Sequence, residues 1–208
     1  MSHTSEDDQS STRNPVHFIT NADMSCWQNC VLQGLFLLLY APFKYVSIPF
    51  FNYARYLVLR LFCKRIQSSY IAEGVTLAFP WRIEIASRSS LNQGVIIDGT
   101  GGVRIGQGVR IAPYVCINTA DHNFSEPDLF IYEQGFKVAP VTIEDDVWIG
   151  AAVQINKGVT IGQGAVIGSG SVVTRNIPPY SIAVGVPCRV VGTRNTDCAE
   201  SPRQISSE

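Results

Sequence analysis

The sequence predicts an all-β repeat fold, a parallel β-helix of about five coils with one extended loop, preceded by a hydrophobic helical N-terminal segment. The first observation is that aliphatic residues recur every six positions, at Ile143, Ile149, Ile155, Ile161, Ile167 and Val173. A period of six fits neither the 3.6 of an α-helix nor the 2 of an ordinary strand, but it is typical of β-helices. The second is glycine directly after the aliphatic residue at 150, 162 and 168, where a missing Cβ lets the chain turn.

The same period extends towards the N-terminus. It continues at Ile117, Ile111 and Ile105 and, beyond a two-residue slip at Gly101–Gly102, at Ile97, Leu91 and Ile85. Three sides of six residues make one coil of about eighteen. The predicted β-helix domain therefore covers residues 75–192, with coils up to about residue 178 and a closing segment after them. The period fails once, from about residue 121 to 140, and this break predicts a loop that leaves the stack of coils.

The composition limits the class of protein. Of 208 residues, 46% are hydrophobic and 16% are charged, which is enough apolar material for one compact domain with appendages. A net charge of −1 argues against a nucleic-acid partner. The six cysteines have neither the paired spacing of a zinc site nor the density of a disulfide scaffold, so we expect reduced thiols in a cytoplasmic protein. Polar residues 1–22 predict a disordered tail, and residues 193–208 predict a second polar tail.

Residues 24–72 form an apolar, basic and helical preamble. They contain no Asp or Glu, and their charged residues are Lys44, Arg55, Arg60, Lys64 and Arg65. The first twenty, 24–43, carry no charge, which is about the length of a membrane span. Three roles stay open: packing on the repeat domain or a neighbouring subunit, peripheral contact with the cytoplasmic membrane through residues 24–66, and a true span. A secretory signal is disfavoured because the preceding residues are acidic and polar.

His122 is the candidate catalytic residue. It is one of three histidines, and the other two, His3 and His17, lie in the predicted N-terminal tail. A lone histidine is most often a surface residue, but this one stands where the chain leaves a rigid scaffold, a place typical of catalytic groups. Neutral imidazole can take a proton from a hydroxyl or an amine. One histidine cannot supply the three imidazoles of a zinc site, and we predict no metal.

Three stretches resemble the hexapeptide-repeat acetyltransferases, and most closely the galactoside, maltose, nodulation-factor and surface-polysaccharide O-acetyltransferases. They are VRIGQGVRIAPYVCINTADH (103–122), VTIEDDVWIGAAVQINKGVTIGQGAVIGSGSVVTRNIPPYS (141–181) and AVGVPCRVVG (183–192). The resemblance implies a left-handed β-helix assembled as a homotrimer, with acetyl-CoA in the cleft between neighbouring prisms. It also implies that His122 is the general base and that Asn92 orients the acceptor. For the cofactor it implies contacts at Trp148, Ala151, Ser169, Thr174, Arg175 and Arg189.

The chemistry of the residues is consistent with those roles. Phosphates of coenzyme A need cations, and Arg175, Arg189 and Arg194 lie close together in the sequence where the coils end. Alternatives remain, since Asn92 could be a corner residue, Trp148 could cover the outer face, and the arginines could be solvated. The chain departs from the family in residues 24–72 and in the loop NFSEPDLFIYEQGFK after His122. Both departures concern the acceptor side.

The sequence therefore favours direct acetyl transfer from acetyl-CoA to a hydroxyl of a sugar, oligosaccharide or lipid-linked glycan, as in polysaccharide biosynthesis. His122 would remove the proton from the attacking hydroxyl. A first alternative is N-acetylation of an amino sugar or a nucleotide-linked amino sugar, because the same base and donor site would serve an amine. A second is a non-catalytic trimeric β-helix scaffold, because one fold hosts several functions.

Overall fold

The computed structural model describes residues 17–19 and 27–194. A short strand, β1 (His17–Ile19), is followed by two helices, α1 (Trp27–Lys44) and α2 (Pro49–Phe62). Pro49 occupies the first turn of α2, where its missing N–H costs nothing. We call α1, α2 and the residues between them the helical hairpin. The predicted helical character of the preamble is confirmed over these two helices.

Six coils of parallel strands follow the hairpin. The first two contain β2 (Arg65–Ile66), β3 (Tyr70–Ile71) and β4 (Thr76–Ala78), then β5 (Ile83–Ile85), β6 (Ser90–Leu91) and β7 (Ile96–Asp98). The third contains β8 (Val103–Ile105), β9 (Arg110–Ile111) and β10 (Cys116–Ile117), and two strands outside the stack come next, β11 (Ala120–His122) and β12 (Phe136–Val138). The last three contain β13 (Val141–Ile143), β14 (Trp148–Ile149), β15 (Gln154–Ile155), β16 (Thr160–Ile161), β17 (Val166–Ile167), β18 (Val172–Val173), β19 (Ser181–Val184) and β20 (Arg189–Thr193).

Each of the first five coils contributes one strand to each of three sheets, which form the sides of a prism. From the sixth coil, β19 continues one of these sheets, and β20 pairs antiparallel with β19. Sheet I has the order β16-β13-β8-β5-β2, sheet II the order β20-β19-β17-β14-β9-β6-β3, and sheet III the order β18-β15-β10-β7-β4. The pairs between coils are parallel and in register, so that Ile111, Ile149 and Ile167 stand in one column. The predicted aliphatic residues all point inward and are at most 1% exposed. The parallel β-helix is therefore confirmed.

The number of coils and their start differ from the prediction. The structure has six coils rather than five, and the first begins at Arg65 rather than near residue 75. The period of six breaks on both sides of this coil, because Leu77 lies eight positions before Ile85 and Ile66 lies five before Ile71. The two-residue slip at Gly101–Gly102 is confirmed, since the inward residues Ile97 of β7 and Ile105 of β8 are eight positions apart.

The inner face of the helical hairpin packs on the first coil. Phe36, Tyr40 and Leu59 are buried in one cluster with the inward residues of that coil. The side-chain amide of Gln33 donates to the carbonyl of Leu77 at 3.2 Å and accepts from the N–H of Phe79 at 3.0 Å. The preamble therefore packs on the repeat domain, which is the first of the three roles left open for it. Only one face of each helix takes part in this packing. Neither helix in the described part of the chain has both the length and the apolar composition needed to cross a bilayer.

Most of the two predicted tails lies outside the described residues. Within the first tail, residues 17–19 form a strand, β1, that pairs antiparallel with β12. At the other end, β20 extends to Thr193, and Arg194 forms an ion pair with Asp146 at 2.9 Å. Thr193 and Arg194, which the sequence assigned to the second polar tail, therefore belong to the described structure.

Candidate active site

The loop predicted between residues 121 and 140 is a β-hairpin that stands outside the prism. The chain leaves the stack after Asn118, and β11 pairs antiparallel with β12. It returns at Val141, which pairs with Val103 of the preceding coil. Together with β1, the two strands form a separate three-stranded sheet. We call residues 119–140 the excursion.

His122 lies where it was predicted, at the base of the excursion. Its side chain is exposed, and its ring centroid lies 4.4 Å from that of Phe136, the residue opposite it in the ladder. Contact with Phe136 limits rotation of the imidazole while leaving the ring open to solvent. This combination of a supported base and an accessible edge suits a group that must receive a proton.

The residue before His122 is held by the next coil. Lys157 forms an ion pair with the carboxylate of Asp121, and the lysine side chain is only 20% exposed. Successive residues of a strand point to opposite faces, so the pair fixes β11 from the side away from the imidazole. Sequence reasoning missed this lysine. The six-residue period contains a signal that could have identified Lys157. It lies two residues after Ile155, and Arg175 occupies the equivalent position two residues after Val173.

Asn92 lies at a different corner of the prism. It follows β6, at the edge between sheets II and III, which we call corner II/III. Its side-chain amide donates to the carbonyl of Ile111 at 2.8 Å, and its backbone N–H donates to the same oxygen at 3.1 Å. The asparagine therefore also serves as the corner residue that the sequence left open as an alternative.

Two predicted cofactor residues stack at corner II/III on the coils beyond Asn92. The N–H of Ala151 donates to the hydroxyl of Ser169 at 3.2 Å. Gly150 permits this approach, since a Cβ there would lie 2.6 Å from the backbone nitrogen of Ser169. Trp148 lies just before this corner on the outer face of sheet II, and it is 56% exposed. The exposed indole is available to an external ligand.

The remaining predicted cofactor residues lie elsewhere on the last coils. Thr174 and Arg175 follow β18, at the edge between sheets III and I, and both are exposed. We call this edge corner III/I, and the excursion with His122 leaves the prism at the same edge. Arg189 begins β20 and donates to the carbonyl of Cys188 at 2.9 Å. Of the three grouped arginines, Arg194 is engaged by Asp146 and the carbonyl of Gly164.

The candidate residues of one chain therefore fall into two separate sets. His122, Thr174 and Arg175 lie at corner III/I, and Asn92, Ala151 and Ser169 lie at corner II/III. About six residues of each coil separate the two corners, a span of roughly 15–20 Å. The structure does not bring the two sets together within one chain.

Cys116 lies on β10, the strand before the excursion, and has the wrong properties for a nucleophile. It is half-buried on the outer face of sheet III, while Ile117 points inward. Its Sγ lies 3.5 Å from Oδ1 of Asn118. Burial raises the pKa of the Cys116 thiol, and the negative charge of Asp98 raises it further. The protonated thiol is a poor nucleophile at neutral pH.

The described residues contain no cluster of three or more His, Cys, Asp and Glu side chains arranged to hold a metal ion. Asp145 and Asp146 do not act as a pair, because Asp145 accepts from the N–H of Gln107 at 2.7 Å while Asp146 holds Arg194. Each carboxylate stabilises a corner.

Comparisons with known proteins point to one family. Residues 140–175 match the family described as bacterial transferase hexapeptide (six repeats). The chain is 36% identical over 136 residues to the galactoside O-acetyltransferase of Escherichia coli, which is 65% of this chain and 66% of the relative. Among solved structures, a hexapeptide-repeat acetyltransferase of Vibrio cholerae in complex with acetyl-CoA superposes with a TM-score of 0.73 at 28% identity, covering 86% of this chain and 93% of the other.

This chain belongs to the hexapeptide-repeat acetyltransferases. A second structure of the family, a maltose O-acetyltransferase of Clostridium difficile, superposes with a TM-score of 0.72 at 28% identity and covers 88% of this chain and 94% of that one. The sequence matches to curated hexapeptide-repeat acetyltransferases are shorter, and they span between 34% and 66% of those relatives' lengths. Family membership thus rests on the coils, which carry most of the candidate site residues.

Proposed function

We propose that this protein transfers an acetyl group from acetyl-CoA to a hydroxyl of a sugar, an oligosaccharide or a lipid-linked glycan, with His122 as the general base. The observation that carries the proposal is the position of His122, exposed at the base of the excursion and supported by Phe136. A scaffold has no need for a histidine held in this way. The O-acetyltransferases among the relatives favour a hydroxyl as the acceptor.

The proposed reaction is direct. The acceptor oxygen attacks the thioester carbonyl as His122 removes the hydroxyl proton, and the tetrahedral intermediate then collapses with cleavage of the carbon–sulfur bond. The imidazolium returns the proton to the departing thiolate of coenzyme A. No covalent acyl-enzyme is required, which fits the raised pKa of Cys116. A backbone N–H in the cleft would stabilise the oxyanion, as in other acyl transfers.

The proposed donor site is shared between copies of the chain. Because the two sets of residues lie at different corners, a complete site needs corner III/I of one prism beside corner II/III of another. A homotrimer of parallel prisms meets that need, and we propose it as the active assembly. Trp148 would line the pantetheine arm and Asn92 would orient the acceptor. The remainder of the cofactor would be bound by Ala151, Ser169, Thr174, Arg175 and Arg189. Gly170 leaves open space beside the corner for it.

Loss of the Lys157–Asp121 ion pair tests whether β11 must be fixed for catalysis. We expect Lys157→Met to lower kcat roughly tenfold with little change in the KM for acetyl-CoA, because a misplaced base affects the transition state more than donor binding. Lys157→Arg should restore most of the rate. Steady-state kinetics with thiol detection measures both constants.

The matched control is Lys64→Met, which removes a different surface ion pair. Lys64 pairs with Glu84 at 2.7 Å, and both residues are far from the excursion along the chain. It should leave kcat unchanged. The Lys157→Met/Asp121→Asn double variant should be no slower than the slower single variant, since the two residues act through one contact. Additive losses, or a loss confined to KM, would contradict the positioning role.

The roles of Arg175 and Arg189 can be separated by shortening the donor. We expect the double variant Arg175→Met/Arg189→Met to raise the KM for acetyl-CoA by roughly tenfold or more, since charge-assisted hydrogen bonds to phosphate are lost. With acetyl-pantetheine, which lacks the nucleotide phosphates, the variant and the parent should behave alike. An equal loss with both donors would show that these arginines do not contact the nucleotide.

The acceptor class is tested by a screen that records thiol release from acetyl-CoA, followed by mass spectrometry of the products. The panel contains neutral sugars and oligosaccharides, amino sugars, nucleotide-linked amino sugars and lipid-linked glycans. Products labile to mild base are esters and support O-acetylation. Base-stable amides formed from amino sugars would overturn it in favour of N-acetylation, and failure of the protein to bind acetyl-CoA in calorimetry would favour a scaffold.

A further inference from the structure

The outer surface of the helical hairpin is far more apolar than the rest of the protein. Between residues 27 and 62, thirteen large hydrophobic side chains are 41% to 76% exposed, whereas the 132 described residues that follow have fourteen. Soluble monomers rarely expose a continuous apolar patch of this kind unless it is an interaction site. The thirteen are Trp27, Val31, Leu32, Leu35, Leu37, Leu38, Leu39, Tyr45, Ile48, Phe50, Tyr53, Leu57 and Leu61.

Helix α1 buries only Phe36 and Tyr40 among its large apolar side chains and exposes most of the others. Gln33 is half-buried and hydrogen-bonded to the first coil, while Leu35, Leu38 and Leu39 are exposed on the other side. No charged residue occurs before Lys44 at its last turn. Such an arrangement is costly in water, because an outward leucine gains nothing from folding. It becomes favourable only when another apolar phase covers the helix.

Helix α2 carries a second exposed stripe. The stripe consists of Phe50, Tyr53, Leu57 and Leu61, whose spacing of three and four positions places them on one helical face. Leu61 is 76% exposed. The opposite face is the one that carries the buried Arg55 and Leu59. Tyr45 and Ile48 in the connection between the helices are also exposed. The apolar surface is therefore continuous along the chain from α1 through the connection to α2.

The charged residues of the hairpin segment itself are all basic. Residues 24–72 contain no Asp or Glu, and Arg60 lies on the exposed stripe of α2 beside Leu61. Lys44 closes α1 and Arg65 follows α2, whereas Lys64 is neutralised by its ion pair with Glu84. A basic rim around an apolar face matches an anionic bilayer surface, where cations meet lipid phosphates and apolar side chains enter the acyl boundary. Face-to-face pairing with the hairpin of a second copy would instead bring like charges together.

We propose that the helical hairpin docks on the surface of an anionic lipid bilayer without crossing it. Both helices lie along the interface, with the thirteen exposed apolar side chains directed into the lipid and Arg60 at the level of the headgroups. Amphipathic Trp27, Tyr45 and Tyr53 suit that boundary, since each has an apolar ring and a polar atom. The inner face of the hairpin stays on the first coil and tethers the catalytic domain to the membrane. This proposal is independent of the acetyl-transfer proposal.

Flotation of the full chain with liposomes tests the docking. We expect the protein to float with vesicles of phosphatidylcholine and phosphatidylglycerol and much less with phosphatidylcholine alone, and binding should weaken as salt rises. The variant Leu38→Glu/Leu61→Glu should lose at least about tenfold in partitioning, because both side chains would enter the lipid. Arg60→Glu should lose roughly fivefold, and only with anionic vesicles.

The control is Val191→Glu, which changes a side chain that is 63% exposed on β20, far from the hairpin in sequence and fold. It should float like the parent. Equal flotation of the parent and the Leu38→Glu/Leu61→Glu variant would overturn the proposal. So would absence of the parent from both vesicle types. Light scattering identifies a second copy as the occupant if the glutamate variant changes oligomeric state and the parent does not float.

Discussion

His122→Ala is expected to lower kcat by about 10² to 10⁴, the usual contribution of a positioned general base. The loss follows because neither water nor the neighbouring side chains can accept the hydroxyl proton in the same geometry. The KM for acetyl-CoA should change little, since the histidine acts on the acceptor.

Steady-state rates of thiol release measure kcat and the KM for acetyl-CoA. Ser125→Ala, an exposed change in the same excursion, is the matched control and should retain the parent rate. The circular dichroism spectrum and the oligomeric state of His122→Ala should match those of the parent, because the side chain is exposed and the coils do not depend on it. Near-parental turnover in this variant would refute the assignment of the base.

The second large effect is expected at Arg55, a fully buried arginine with no acidic partner in its own segment. Its guanidinium donates to the carbonyls of Ile71 at 3.0 Å, Phe43 at 2.6 Å and Val46 at 2.9 Å, and it also contacts the side-chain oxygen of Asn52. One side chain thus joins the end of α1, the connection and the first coil. Burial of the charge is tolerated because these oxygens replace its hydration shell.

Arg55→Met should destabilise the protein by about 2–4 kcal/mol, because buried carbonyls lose their partner and regain nothing. The effect should be local first, so amide hydrogen exchange should accelerate in α1 and α2 while the later coils stay protected. Arg60→Met on the same helix is the matched control, since Arg60 is exposed and should change the free energy of unfolding by less than about 0.5 kcal/mol. Equal unfolding midpoints for the two variants in urea would contradict the role given to Arg55.

Periodicity was sufficient for the coils because a β-helix is stabilised almost entirely by contacts between equivalent positions of successive turns. Ile149 contacts its equivalents above and below, and the requirement for an aliphatic residue therefore repeats in the sequence. The period did not predict the first coil because the spacing is irregular on both sides of it, with eight positions from Leu77 to Ile85 and five from Ile66 to Ile71. Strand β1 was not predicted because its partner, β12, lies more than a hundred residues away.

The sequence by itself determined the fold, the place where the coils are interrupted and the histidine at that place, because each depends on residues a fixed number of positions apart. Only the tertiary structure decided which of those residues share a corner, that Lys157 holds the strand carrying His122, and that the hairpin turns its leucines outward. Those facts depend on how the chain closes each turn and on which helical face the first coil covers. A local pattern of apolar residues carries no information about either.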